Sequence, residues 1–180
     1  MVKTILLVVA GIAVLAIAFV LLLALRQPDT FRVQRSTLMA APADRIFPLI
    51  NDIRQMNTWN PFARKDPAIR ITYSGPGAGP GAAYAFEGNK EVGSGSLRIT
   101  DAAVPTRVAM KLDMVSPMEG HNDILFRLEP EGGATRVTWS MQGPWPFIGR
   151  VMGVVFNMDK MVGGAFEEGL ADLKARAEGA

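Results

Sequence analysis

The 180-residue chain carries 19 Lys and Arg against 17 Asp and Glu, one histidine and no cysteine. The near balance of charge, with no basic cluster interleaved with aromatics, argues against a nucleic-acid partner. The missing thiols exclude disulfides, thiolate metal sites and cysteine nucleophiles, and a single histidine excludes a multi-histidine metal centre, so no metal or cofactor is expected.

The first predicted element is a membrane helix. Ile5 to Leu25 is an unbroken apolar run bracketed by Lys3 and Arg26. At 1.5 Å per residue it reaches about 31 Å, the thickness of a bilayer's hydrocarbon core. Ala16-Ile17-Ala18 offers a small-x-small cleavage site, but cutting there leaves Phe19–Leu25 as an apolar new terminus. The run also exceeds the 7–15 apolar residues usual in a signal peptide. Residues 1–26 are therefore expected to be a retained single-pass anchor, with the bilayer as partner through residues 5–25. Lys3 precedes the run while Arg26, Arg32 and Arg35 follow it. That bias leans towards a cytoplasmic domain, but so short an N-terminal side leaves the side of the membrane open.

Residues 27–30 read as a linker and residues 31–178 as one domain. Phe31–Met39 reads as a first strand, and Ala41-Pro42 opens a short helix with Ile46, Phe47, Leu49 and Ile50 buried. Pro48 is expected to kink or shorten that helix. A helical turn over Ile53–Asn57 leads to Trp59-Asn60-Pro61-Phe62, where Pro61 biases Asn60 to extended geometry. From residue 69 the period becomes two. Ile69–Ser74, Ala82–Glu87, Ser96–Asp101, Val108–Met114, Ile124–Leu128 and Thr135–Met141 read as strands of a meandering antiparallel sheet. The turn-rich Gly75–Gly81 segment lacks a following Gly-Lys-Ser/Thr, and Pro76 and Pro80 remove two donor N–H groups, so it is not a phosphate loop.

Helical period returns at the C-terminus. Ile148, Met152, Val155, Val162, Phe166, Leu170 and Leu173 fall on one narrow stripe at 100° per residue, with a break expected near Gly153 or Gly163-Gly164. These elements give an α+β helix-grip architecture: a curved antiparallel sheet wrapped around a long C-terminal helix, with a cavity expected between them.

Several segments carry a family resemblance. They are Val33-Gln34-Arg35-Ser36, Ala41-Pro42, Ile46-Phe47, Asn51-Asp52 and Trp59-Asn60-Pro61; then Gly75-Pro76, Gly81, Tyr84-Ala85-Phe86, Gly93-Ser94-Gly95 and Ile99; and finally Gly133, Thr135, Val137-Thr138-Trp139 and Phe166-Glu167-Glu168-Gly169-Leu170. In order and spacing they resemble the START-related SRPBCC superfamily, and within it the polyketide cyclase/dehydrase and lipid-transport-like branch. The resemblance implies a deep pocket for lipids, polyketides or other apolar molecules without implying one reaction. The side chains expected to line it are Trp59, Tyr73, Tyr84, Phe86, Met110 and Leu112, with Phe126, Trp139, Met152, Phe156 and Asp159.

Asp159 falls in the middle of the apolar stripe, where a carboxylate is costly to bury alone. It reads either as a polar anchor or raised-pKa base in the pocket, or as the cap of a new helical turn in contact with solvent. His121 shares a strand face with Glu119 and Asp123, opposite Ile124, Phe126 and Leu128, and is expected to face solvent. No catalytic constellation emerges: there is no Gly-x-Ser-x-Gly elbow. Two functions follow: a membrane-tethered binding module for a hydrophobic small molecule or lipid, or an enzyme (cyclase, dehydratase or hydrolase-like) acting on a hydrophobic substrate in the same cavity. N-terminal sequencing of the mature protein should begin at or next to Met1; a start near Phe19 would overturn the retained anchor.

Overall fold

A computed structural model describes residues 2–155 and 158–179. The apolar run becomes α1 (Val2–Arg26), followed by β1 (Thr30–Met39). Three short helices come next: α2 (Ala43–Asn51), α3 (Ile53–Asn57) and α4 (Pro61–Arg64). Capping separates them. Asp52 Oδ1 accepts from the backbone N–H of Arg54 (2.8 Å) and Gln55 (3.0 Å), and Asn60 Oδ1 accepts from that of Phe62 (3.2 Å) with Pro61 in the first turn. Each cap satisfies donors that a helix start leaves without partners. Pro48 does not shorten α2, which continues through it to Asn51.

Six strands follow: β2 (Arg70–Ser74), β3 (Ala83–Glu87), β4 (Ser94–Ala103), β5 (Arg107–Ser116), β6 (Gly120–Glu131) and β7 (Ala134–Pro144). Each pairs antiparallel with the next, and β1 joins β7 to give a seven-stranded sheet of order β1-β7-β6-β5-β4-β3-β2. The expected alternation is borne out. Leu97, Ile99, Val108, Met110, Ile124, Phe126, Leu128, Val137 and Trp139 are buried, while Arg98, Lys111, Asp123 and Arg127 between them are exposed.

The C-terminal stripe falls on α5 (Phe147–Val155) and α6 (Met158–Glu178), described on either side of residues 156 and 157. The chain correspondingly forms two units. One contains residues up to Phe31 with Pro144–Met158; the other contains Arg32–Gly143 and the chain from Asp159 onward. In the second unit the α6 half of the stripe holds: Phe166, Leu170 and Leu173 are buried, joined by Ala165 and Ala177, and Val162 is half-buried. Gly169 sets how near the helix lies. A Cβ there would sit 2.8 Å from Trp139 Cζ3 and 2.9 Å from Pro61 Cδ, so the missing side chain permits contact with both.

In the first unit α1 packs against α5. The segment between α1 and β1 is therefore more than a passive linker. Arg150 Nη1 donates to the Asp29 carboxylate (2.8 Å) and the Gln27 carbonyl (3.3 Å), and the Trp145 N–H donates to the Asp29 carbonyl (2.6 Å).

Phe166→Ala should destabilise the protein by about 3–5 kcal/mol in denaturant unfolding; a change below about 0.5 kcal/mol would mean that the stripe is not core. Gly169→Ala gains about 1 kcal/mol of helix propensity. It should nevertheless lower stability, because overpacking costs about 1–3 kcal/mol.

Candidate ligand-binding interior

The sheet's inner face and α6 bring together four of the largest side chains in the second unit. Trp139 of β7 stacks on Phe166 of α6 with ring centroids 4.0 Å apart and planes 8° from parallel. Phe126, opposite Trp139 in the β6–β7 register, lies 5.0 Å away, and Trp59 stands edge-on to Phe126 (6.0 Å) and Trp139 (5.8 Å). Strand alternation explains the grouping. Phe126 and Trp139 are cross-strand partners on one face, and the α3–α4 turn delivers Trp59 to that face.

The two tryptophans differ in one respect. Trp59 Nε1 donates to the Leu49 carbonyl (2.8 Å). Trp139 Nε1 is buried without a hydrogen-bond partner, in a residue only 5% exposed. Leaving a buried donor unsatisfied costs about 1–3 kcal/mol. Buried indole N–H groups usually have partners, so this donor stands out as an unsatisfied polar atom on an otherwise apolar face.

A second group lies towards the β2–β3 edge. Tyr73 and Tyr84 are register partners with rings 6.1 Å apart, and Phe86 lies 5.9 Å beyond Tyr84. Asn57 Nδ2 donates to the Tyr73 hydroxyl (3.2 Å), and Asn60 Nδ2 lies 3.4 Å from both the Tyr84 hydroxyl and Asn57 Oδ1. Each tyrosine hydroxyl accepts in this network and so retains its O–H to donate. Arg54 places its guanidinium 4.1 Å from the Tyr73 ring centre. Burial, and secondarily the neighbouring Tyr73, pushes the Tyr84 phenol well above its ordinary value, so it stays protonated at neutral pH.

Most of the pocket residues expected from sequence therefore share this interior. Trp59, Phe126 and Trp139 form the aromatic cluster and Tyr73, Tyr84 and Phe86 the edge group; Met110 is buried and Leu112 half-buried on the same face. Asn57 escaped sequence reading as a site residue because only the α3 cap turns it towards Tyr73.

Three expectations fall differently. Met152 lies on α5, which packs against α1, and is 42% exposed. Phe156 lies outside the described residues, as does the side chain of Val155. Asp159 is not buried in the stripe: it occupies the first turn of α6, with its side chain 63% exposed. Arg35 of β1 donates from Nη2 to Asp159 Oδ2 (2.9 Å), from Nη1 to Oδ1 (3.1 Å) and from Nε to Glu167 Oε1 (2.6 Å). The hydrogen bonds from Arg35 hold the Asp159 carboxyl below its usual range, opposite to the shift a general base requires. Asp159 shares the phase of the α6 stripe but sits in the helix's exposed first turn, and no local pattern reveals a partner on a distant strand.

Beside this ion-pair cluster, an open groove of about 370 Å³ runs between β1 and α6, lined by Arg35, Ser36, Thr37, Glu167, Leu170, Ala171 and Lys174. His121 faces solvent as expected, with Nδ1 2.6 Å from Asp113 Oδ1 on the neighbouring strand. Among the described residues no group of acidic and histidine side chains could hold a metal ion.

The fold is shared with several solved structures of low identity. The di-domain ARO/CYC BexL from the BE-7585A biosynthetic pathway is similar at 12% identity over 87% of this chain and 52% of its own, with a TM-score of 0.62. A Rhizobium leguminosarum protein is similar at 13% identity over 84% and 96%, with a TM-score of 0.61. A Nitrosospira multiformis protein is similar at 17% identity over 82% and 96%, with a TM-score of 0.59. No curated protein matches the chain in sequence. The family model described as polyketide cyclase/dehydrase and lipid transport matches residues 30–178. With nearly the whole chain behind the apolar run matched, and the sheet and C-terminal helix in place, the protein belongs to the polyketide cyclase/dehydrase and lipid transport family of the SRPBCC superfamily.

Proposed function

We propose that this protein is a membrane-tethered module that binds a hydrophobic small molecule or lipid against the aromatic inner face of its sheet. The observation that carries the reading is the buried, unpartnered indole N–H of Trp139. Phe166 covers one face of that ring at 4.0 Å. In this reading a ligand meets Nε1 at the ring's edge, with a carbonyl, ether or hydroxyl oxygen as acceptor and apolar substance against Phe126 and Met110. The Tyr73 and Tyr84 hydroxyls supply further donors on the same face. Family membership supports a hydrophobic ligand, and the likeness in fold to BexL, an ARO/CYC protein of a biosynthetic pathway, is in keeping with one.

The tether rests on α1, 25 residues long, with a mean hydropathy of 3.3 over its most apolar window. Packing of α1 against α5 and the Arg150–Asp29 pair favour its retention, because cleavage would strip α5 of its partner.

Catalysis in the same interior is the second reading, in which the Tyr84 hydroxyl, accepting from Asn60, donates a hydrogen bond to a substrate oxygen; its raised pKa makes it a poor general acid. A carboxylate base is harder to find. Asp66 is buried, but its two oxygens accept from the backbone N–H groups of Ala68 (2.9 Å) and Asn89 (2.6 Å).

Trp139→Phe removes the N–H while keeping an aromatic ring, though a smaller one, against Phe166. Losing one neutral hydrogen bond to a ligand, about 0.5–1.5 kcal/mol, should weaken binding about 2- to 13-fold. Removing the unsatisfied donor favours folding, but the smaller ring leaves space beside Phe166 and Gly169, so no net gain in folding stability is expected. Titration with a fatty acid, a phospholipid and an aromatic polyketide, followed by native mass spectrometry, measures both the ligand class and the loss. Failure of all three to bind the unaltered protein would overturn the reading.

A further inference from the structure

The helix α5 is an unusual piece of surface. Phe147, Ile148 and Met152 are all exposed, Ile148 by 59%, and at 100° per residue they lie with Val151 on one face. Its one charged side chain, Arg150, is turned off that face to Asp29 and the Gln27 carbonyl. Its two glycines receive Trp145. A Cβ at Gly149 would meet Trp145 Cδ1 at 2.8 Å, and one at Gly153 would overlap the six-membered ring. The indole thus lies along the glycine side of the helix, with Phe31 edge-on at 6.4 Å. Everything polar or tightly packed is on one side of α5, and the large apolar side chains are on the other.

Its position relative to α1 gives that face an occupant. The residues of α1 that lose exposure are Val20, Leu23 and Ala24, the last completely, while the residues before them are exposed. Spaced three and four apart, they form one side of the helix, and α5 is the element packed there. If residues 5–25 cross the hydrocarbon, Val20–Ala24 lie about 2–8 Å inside its edge at 1.5 Å per residue. An interfacial helix buries its apolar face about 5–10 Å into the headgroup–acyl boundary. The two depths coincide. Arg26, Asp29 and Arg150 then fall at headgroup level, and Trp145 sits where membrane proteins concentrate tryptophan.

We propose that α5 is a second membrane element: an interfacial helix that inserts Phe147, Ile148 and Met152 into the leaflet beside the C-terminal end of α1. The occupant of the face is lipid acyl chain, not a second copy of the protein. The inference rests on α1 being a retained anchor. Its consequence is that the chain meets the bilayer at two points of its sequence, before β1 and before α6.

The chain has no cysteine, so single cysteines can carry nitroxide labels without background. Full-length protein labelled in turn at Leu15→Cys, Ile148→Cys, Met152→Cys and Val104→Cys would be reconstituted into phosphatidylcholine/phosphatidylglycerol vesicles. All four side chains are exposed, so no label displaces a core contact. Residues 15, 148 and 152 should collide more with oxygen than with a water-soluble nickel chelate, and residue 104, in the β4–β5 turn, the reverse. Lipid exposure at 15 with nickel access at 148 and 152 overturns the interfacial helix and leaves the anchor standing. Aqueous exposure at 15 overturns both. Shielding of 148 and 152 from both reagents, with spin–spin broadening relieved by unlabelled protein, identifies a second copy as the occupant and overturns the lipid assignment.

Discussion

The stack of Trp139 on Phe166 is the contact on which the second unit turns. It joins a residue of the β6–β7 hairpin to a residue of the last helix, and so fixes α6 against the inner face of the sheet. Two small features make it possible. Gly169, one turn on, lets the α6 backbone approach Trp139 and Pro61. Asn60 caps α4 and holds Pro61 at its first position, which brings the Trp59 turn into the same space. Large aromatic surfaces dominate core energetics, and here they are concentrated where sheet, short helices and terminal helix meet.

Polar contacts then hold α6 from its edges. Lys174 Nζ donates to the Leu38 carbonyl (2.7 Å), Glu178 accepts from the Ala40 N–H (2.6 Å), and Arg176 reaches the Thr58 carbonyl (2.8 Å). At the other end, Arg35 grips Asp159 and Glu167, its guanidinium lying over Gly163, where a Cβ would collide with it. Ion pairs this open to solvent are screened and contribute little to stability. Their value is positional: they set the register of α6 on β1 while the buried stripe supplies the energy.

Strand positions were legible because a half-buried sheet imposes a two-residue period, and Met110, Phe126, Val137 and Trp139 carry it without interruption. The α6 stripe was legible for the corresponding reason at 3.6 residues. The extent of that stripe was not. A helical wheel assumes that every turn meets the same neighbour, but Met152 lies on α5, which packs against α1, and Asp159 lies in the first turn of α6, where it meets Arg35 of β1. The phase itself is right within α6, where Asp159 stands seven residues before Phe166; what a wheel lacks is which turns of the helix are covered, and the first turn leaves the carboxylate exposed. Its pairing with Arg35 joins positions 124 residues apart, and nothing in local periodicity encodes so distant a partner. The unpartnered N–H of Trp139 was illegible for a similar reason, since a tryptophan on an inner face does not reveal where its nitrogen points.

The division of the apolar surface follows from the solvents it meets. Residues that face the sheet's interior must fit neighbours of fixed shape, which is why the buried set mixes Gly169, Ala165 and Ala177 with Phe166 and Leu173. A face that meets acyl chains has no such constraint, because lipid adapts to whatever shape it is offered. The exposed face of α5 shows that freedom: Phe147, Ile148 and Met152 differ in shape and have only their apolarity in common. The opposite side of the same helix shows the contrary demand, with two glycines spaced to admit one indole ring. In the proposed arrangement a single nine-residue helix thus carries a shape-specific side for protein, where its glycines admit Trp145, and an exposed apolar side for lipid.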